Sequence, residues 1–124
     1  MHFIFDLDHT VIDSSHRQIT RADGSLDLDA WRRNNTRANI MADTLLPLAA
    51  QWRLADKKGA TIVICTARVM GEHDFEFLRQ HGLRWDACLS RREGDATPDA
   101  DLKEKMIRQY AQARPMSWAR FCAT

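Results

Sequence analysis

Two carboxylates one residue apart, Asp6 and Asp8, follow directly on a short apolar run, Phe3-Ile4-Phe5. The run favours β structure and reads as a buried parallel strand. Acids just past the end of such a strand lie where open α/β sheets form their ligand crevices. Against apolar walls the pair stays charged only with a cation to neutralise it. Its oxygen donors suit Mg²⁺, which also recruits phosphate. A plainer use is open to the same residues, because Asp favours turns and caps. The strand before the pair and Thr10 after it weigh toward chemistry.

A second apolar run, Ala60 to Cys65, ends in Thr66-Ala67-Arg68. Thr66 follows a strand as Asp6 does, so both side chains should face one crevice. A hydroxyl and a guanidinium there can bind a phosphoryl oxygen by a hydrogen bond and a bidentate ion pair. A threonine in this position can also cap a helix.

Together these residues carry a resemblance. Phe5-Asp-Leu-Asp-His-Thr-Val11 resembles the nucleophile motif of the haloacid dehalogenase (HAD) superfamily of phosphotransferases, Asp-x-Asp-x-Thr after a hydrophobic strand. Ile64-Cys-Thr-Ala-Arg68 resembles that family's second motif, in which a Ser or Thr binds phosphate. The third motif is a lysine near the start of a later helix, and both Lys103 and Lys105 qualify by location. The longer stretch Arg91 to Lys103 favours Lys103 and resembles the 3′-phosphatase domain of phage polynucleotide kinase-phosphatase. Gly94, Asp95, Asp99 and Lys103 fall at that domain's offsets from Arg91, and Arg17 stands eleven residues past Asp6, as its arginine does.

The resemblance implies Mg²⁺-dependent hydrolysis of a phosphomonoester, either a nucleic-acid 3′-phosphate or a nucleotide. Asp6 would be the nucleophile and Asp8 the general acid and base, with Thr66 and Lys103 completing the catalytic set. Asp6 and Asp8 would hold Mg²⁺, and Arg17, Arg68 and Arg91 would grip the substrate. A phosphorylated nucleic-acid end or a nucleotide is the implied partner, with an associated kinase as a further one. Two departures stand out. His9 replaces the glycine usual after the second Asp, a change expected to crowd the site. The family also places acidic metal ligands after its fourth strand, where this chain reaches Ala123-Thr124. The expectation is one HAD-like domain over residues 1–124 that lacks the C-terminal part carrying the last acidic motif. A HAD fold that binds phosphate or nucleic acid with little or no turnover is the alternative.

These residues need a frame, and the chain supplies its pieces. Residues 14–29 read as a flap, with alternating runs His16–Thr20 and Ser25–Leu28 around an Asp-Gly turn and Asp29 as a helix cap. Trp31 reads as an anchor under that flap. Pro47 opens a helix with Leu48, Ala49, Trp52 and Ala55 on one stripe, closed by Lys57-Lys58-Gly59. Phe75, Phe77 and Leu78 mark another helix, Ala87–Leu89 a short strand, and Asp99 to Ala113 a helix with Leu102, Met106 and Tyr110 on one face. Trp118 to Cys122 could be a final strand. Strand, helix and strand in this order predict an α/β fold: a three-layer Rossmannoid parallel sheet flanked by helices, with a hairpin flap as minimal cap.

Composition sets outer bounds. A hydrophobic fraction of 44%, a charged fraction of 28% and a net charge of +1 suit an ordinary globular domain. No apolar run reaches membrane-spanning length, and no signal peptide is evident, so no membrane partner is expected. Cys65, Cys88 and Cys122 are odd in number and widely spaced, which predicts free thiols in a reducing cytoplasm.

Overall fold

The computed structural model describes residues 1–113 and 121–123. The elements run β1 (His2–Phe5), β2 (Ile12–Asp13), a 3-10 turn (Ser15–Arg17), α1 (Leu28–Arg33), α2 (Arg37–Met41), β3 (Thr44–Leu45), α3 (Leu48–Lys57), β4 (Thr61–Cys65), α4 (Glu72–Gln80), β5 (Ala87–Leu89), α5 (Asp99–Ala113) and β6 (Phe121–Ala123). Both apolar runs became strands, and they pair in parallel, Phe3 opposite Ile62 and Phe5 opposite Ile64. The sheet order is β5-β4-β1-β6, every pairing parallel. The chain steps outward from β1 through β4 to β5 and then returns to the far side of β1. That reversal sets the carboxyl end of β1 at the position where open sheets bind ligands. Of the expected final strand, Phe121 and Cys122 lie in β6, while Trp118 to Arg120 fall outside the described residues.

Alternation along the strands divides the core into two. Phe3, Phe5, Ile62, Ile64 and Cys88 face α3 and α4, where Trp52, Phe77 and Leu78 are buried. Ile4, Val63, Cys65, Ala87 and Leu89 face α5, through Met106, Ile107 and Tyr110. The result is a Rossmann-like α/β/α sandwich. Trp52 stacks on Phe5 with ring centroids 5.0 Å apart and gives its indole N–H to the Arg84 carbonyl at 2.8 Å. The one polar atom of this large side chain is thereby satisfied, so its apolar area is buried without leaving a donor unpaired. Cys65 and Cys88 are free thiols, and burial pushes both up to about 11.

Between β1 and α3 the chain departs from expectation. The hairpin is reduced to a single antiparallel bridge, Thr20 to Leu26, around a turn closed by the Gly24 N–H on the Arg21 carbonyl. His16 and Arg17 belong to the 3-10 turn, because Arg17 turns inward to an ion pair, and Leu28 already opens α1. Asp27, not Asp29, caps that helix, accepting the Ala30 N–H at 3.0 Å. An N-cap carboxylate reaches the amide three residues on, and Asp29 sits inside the first turn. Three further elements carried no clear periodicity. Helix α2 packs on α4 and is tied to it by Arg37 and Glu76. Strands β2 and β3 form an antiparallel ribbon, Ile12 opposite Leu45 and Asp13 opposite Thr44, which brings Asp43 beside residues 14–17.

The loop after β1 is tight. The N–H groups of Thr10, Val11 and Ile12 all converge on the Leu7 carbonyl, at 3.2, 2.9 and 2.9 Å. Making this turn, His9 adopts φ +62°, the left-handed region that glycine tolerates best. Its side chain is exposed, so the cost of replacing the usual glycine falls on the backbone. His9→Gly is expected to raise stability by a few tenths to about 1 kcal/mol, the relief of strain being partly offset by glycine's greater freedom when unfolded. A urea midpoint unchanged or lowered in that variant would contradict this.

Candidate active site

Asp6 is the first residue past β1. Its carboxylate accepts the Leu7 N–H at 2.8 Å through one oxygen and the Lys103 ammonium at 2.7 Å through the other. Lys103 lies in the second turn of α5, whose buried Leu102 and Tyr110 pin the helix to the sheet. Both partners are about a quarter exposed, so the pair faces solvent at the sheet's edge. Lys105 is exposed and makes no such contact. Thr66, fully buried, directly follows β4, the strand paired with β1. Its hydroxyl oxygen accepts the Arg68 N–H at 3.1 Å, and among the described residues no acceptor takes its proton. One O–H therefore remains to be given to a ligand.

Asp8 belongs to a second, deeper cluster. Arg68 grips it with two N–H groups, Nε on one oxygen at 2.8 Å and Nη2 on the other at 2.7 Å, and Ser14 donates to it at 2.6 Å. Arg68 also donates to Asp74 at 2.9 Å and stands 3.6 Å from Asp43. Asp43 in turn receives Arg17 through Nε and Nη2, at 3.0 and 2.9 Å, and touches His16 at 2.7 Å. Arg17 completes its contacts on Asn35 at 3.1 Å and lies over the Trp31 ring, 4.3 Å from its centroid. Charges this deep persist only when paired, and here each one is.

Burial acts to raise the Asp8 carboxyl, but the hydrogen bonds and charge of Arg68, the Ser14 hydroxyl and the charge of Arg17 outweigh it. The net effect is to hold Asp8 below its ordinary 3.8. A depressed carboxyl stabilises the fold above the unfolded value and loses that contribution as pH falls through the folded value. The stability difference between the wild type and Asp8→Asn should thus be constant at neutral pH and shrink only below about pH 3.8. Chemical denaturation across pH 2.5–7 measures it, and a difference that shrank near pH 6 would contradict the assignment.

The three arginines expected to grip substrate differ in place. Arg68 joins Asp8 to the deep cluster. Arg17 is buried within that cluster, its donors on Asp43 and Asn35. Arg91 braces the loop before α5, donating to the carbonyls of Ala67, Asp95 and Thr97 and to Asp99 at 2.7–2.8 Å. Asp95 is occupied with the N–H and hydroxyl of Thr97. Four participants were not expected at the site from the sequence: Ser14, Asp43, Asp74 and Trp31. Asp74 carried a usable hint, being an acid in the first turn of a helix after Gly71, whose N–H it accepts at 2.8 Å.

The sheet and its flanking helices define a Rossmann-like α/β protein. Within that class, the chain belongs to the bacteriophage T5 5′-deoxynucleotidase family, whose model matches residues 1–110. A 5′-deoxynucleotidase of Escherichia phage T5 is 42% identical over 85 residues, which are 65% of this chain and 35% of that protein. The chain thus spans about a third of the length of this curated relative. Among solved structures, a chain of the Pnkp1/Rnl/Hen1 RNA repair complex is similar in fold, with a TM-score of 0.61 at 20% identity. The match covers 87% of this chain and 31% of that one.

Proposed function

We propose that the chain is a HAD-type phosphoric monoester hydrolase that removes the 5′-phosphate of a deoxynucleotide. The observation that carries this reading is the Lys103–Asp6 contact at 2.7 Å, which joins residues 97 apart in sequence at the end of β1, the strand paired with the one that Thr66 follows. An acid at a strand end, neutralised by a lysine and flanked by a hydroxyl donor, is what in-line attack on a phosphoryl group needs. The 5′-deoxynucleotidase family favours a nucleotide 5′-phosphate over the nucleic-acid 3′-phosphate suggested by the Arg91 to Lys103 spacing.

In this mechanism a carboxylate oxygen of Asp6 attacks phosphorus, and the bond from phosphorus to the sugar oxygen breaks. Asp8 protonates the departing oxygen. The resulting aspartyl-phosphate is cleaved by water, whose proton Asp8 accepts, and Asp6 is regenerated with inorganic phosphate. The first step asks for protonated Asp8 and the second for the carboxylate. Arg68 and Ser14 favour the carboxylate in the free protein, so the resting site is set up for the second step. Thr66 and Lys103 donate to the phosphoryl oxygens as charge grows on them. Arg68 and Arg91 hold Asp8 and the loop before α5 in position.

Mg²⁺ suits this donor set. It is commonly bound through one or two carboxylates together with substrate phosphate and water. Asp6 and Asp8 would hold it, and among the described residues no cluster of three or more His, Cys, Asp or Glu groups adds to them. Charge supports the need. Among the described residues, the carboxylates of Asp6, Asp8, Asp43 and Asp74 are paired with three Lys or Arg cations, Lys103, Arg68 and Arg17. A dianionic phosphate makes that deficit worse. When bound, the ion would supply charge neutralisation at the phosphoryl oxygens.

A phosphate binder without turnover is the second reading, and one observation favours it: both oxygens of Asp8 are already held by Arg68 and Ser14. Phosphate release from deoxynucleoside 5′-monophosphates, a 3′-phosphorylated oligonucleotide and p-nitrophenyl phosphate, with Mg²⁺ and with chelator, separates the cases. Expected is Mg²⁺-dependent turnover, fastest on the 5′-monophosphates. Binding without turnover would establish the second reading, and preference for the oligonucleotide would move the substrate to nucleic-acid ends.

A further inference from the structure

Trp31 is an aromatic side chain that belongs to neither core cluster. It is half-buried on α1, between exposed Arg32 and buried Ala30. The Arg17 guanidinium lies over its ring at 4.3 Å and, farther off, that of Arg68 at 5.8 Å. Both guanidiniums reach the same Asp43 oxygen, at 2.9 and 3.6 Å. The half-buried side chain keeps part of its surface open to solvent, within reach of a ligand. Arg68 is also the residue that grips Asp8 at 2.7 Å. The indole is therefore one guanidinium away from a carboxylate of the reacting pair.

The helix that carries the ring is held firmly. It is capped by Asp27, the Trp31 backbone N–H donates to the Asp27 carbonyl at 2.9 Å, and Asn34 at the helix end donates to the Arg17 carbonyl at 3.3 Å. The guanidinium against the ring is fixed in turn by Asp43 and Asn35. A rigid aromatic face beside a phosphate-handling centre suits a planar, polarizable group attached to that phosphate. Every nucleobase presents such a face, and stacking on an aromatic side chain tolerates differences in sequence.

We infer that Trp31 is the platform on which the base of a nucleotide stacks while its phosphate lies at Asp6. This rests on the nucleotide hydrolase reading and adds the residue that tells a nucleotide from other phosphate esters. It also predicts weak discrimination among bases, because the ring offers no hydrogen-bond pattern to read.

Binding tests the inference without depending on turnover. Calorimetric titrations of dTMP, dAMP and 2-deoxyribose 5-phosphate into Asp6→Asn protein, with Mg²⁺, give the reference affinities. In Asp6→Asn/Trp31→Ala, both nucleotides should bind about 5- to 150-fold more weakly, the range of one lost base stack, and the baseless ester should be unchanged. Asp6→Asn/Trp31→Phe should restore most of the nucleotide affinity. Thermal melts confirm that each variant is folded. An equal loss for nucleotides and the baseless ester would overturn the inference and make Trp31 a cover over the Arg17–Asp43 pair. Failure of the Asp6→Asn protein to bind nucleotides would overturn it as well. The hydrolytic reading would then stand or fall separately, on release of phosphate from 2-deoxyribose 5-phosphate or p-nitrophenyl phosphate by the wild type.

Discussion

Asp6→Asn is expected to lower phosphate release by roughly a thousandfold or more while leaving the fold intact. The substitution keeps the shape of the side chain and an oxygen for the Leu7 N–H or the Lys103 ammonium, but removes the nucleophilic carboxylate. Loss of the ion pair itself should matter little to stability, within about 1 kcal/mol, because both partners are partly exposed and Lys103 can return to water. The two readouts separate the roles: a large change in kcat with a nearly unchanged melting temperature is the signature of a nucleophile. Turnover within a fewfold of wild type would remove Asp6 from the mechanism.

Asp43→Ala should do the reverse. Asp43 is buried, and two buried arginines depend on it. Removing it leaves Arg17 without its bidentate partner and takes one of three carboxylates from around Arg68. Breaking a buried pair from one side costs about 3–5 kcal/mol, because the stranded charge keeps its desolvation penalty. That is a large share of the total stability of a small domain. A fall in Tm of roughly 10–20 °C is expected. Asp43→Asn keeps the acceptor on one side and should lose less. The double variant Arg17→Met/Asp43→Ala should recover part of the loss, since it removes the stranded charge together with its partner. A double variant no more stable than Asp43→Ala would show that Arg68 carries the whole penalty.

The sequence alone determined the frame and the ends of its strands. Apolar runs at 3–5 and 60–65, a helical stripe closed by Lys57-Lys58-Gly59, and the span of α5 are local patterns, set by alternation or by the 3.6-residue period together with stop signals. Because a parallel sheet lines up the carboxyl ends of its strands, the residues after those runs, Asp6 and Thr66, were bound to lie near each other once β1 and β4 paired. Position along the chain was enough there.

Tertiary structure decided which charges meet. Ser14 and Asp43 sit in stretches with little periodicity and Asp74 in the first turn of a helix, and polar residues in such places ordinarily read as turns, caps or solvated surface. Arg17 meets Asp43 across 26 residues and Arg68 meets Asp8 across 60, both through ion pairs that leave no trace in local hydrophobic pattern. Between Lys103 and Lys105, the spacing from Arg91 already favoured Lys103. The physical cause lies in the fold, where Leu102 and Tyr110 seat α5 on the sheet and Lys103 reaches Asp6. Burial removes water as an alternative partner, so a charge inside must find its opposite wherever the fold brings one. Sequence order does not encode that meeting; the packing of β2, β3 and α4 around the end of β1 does.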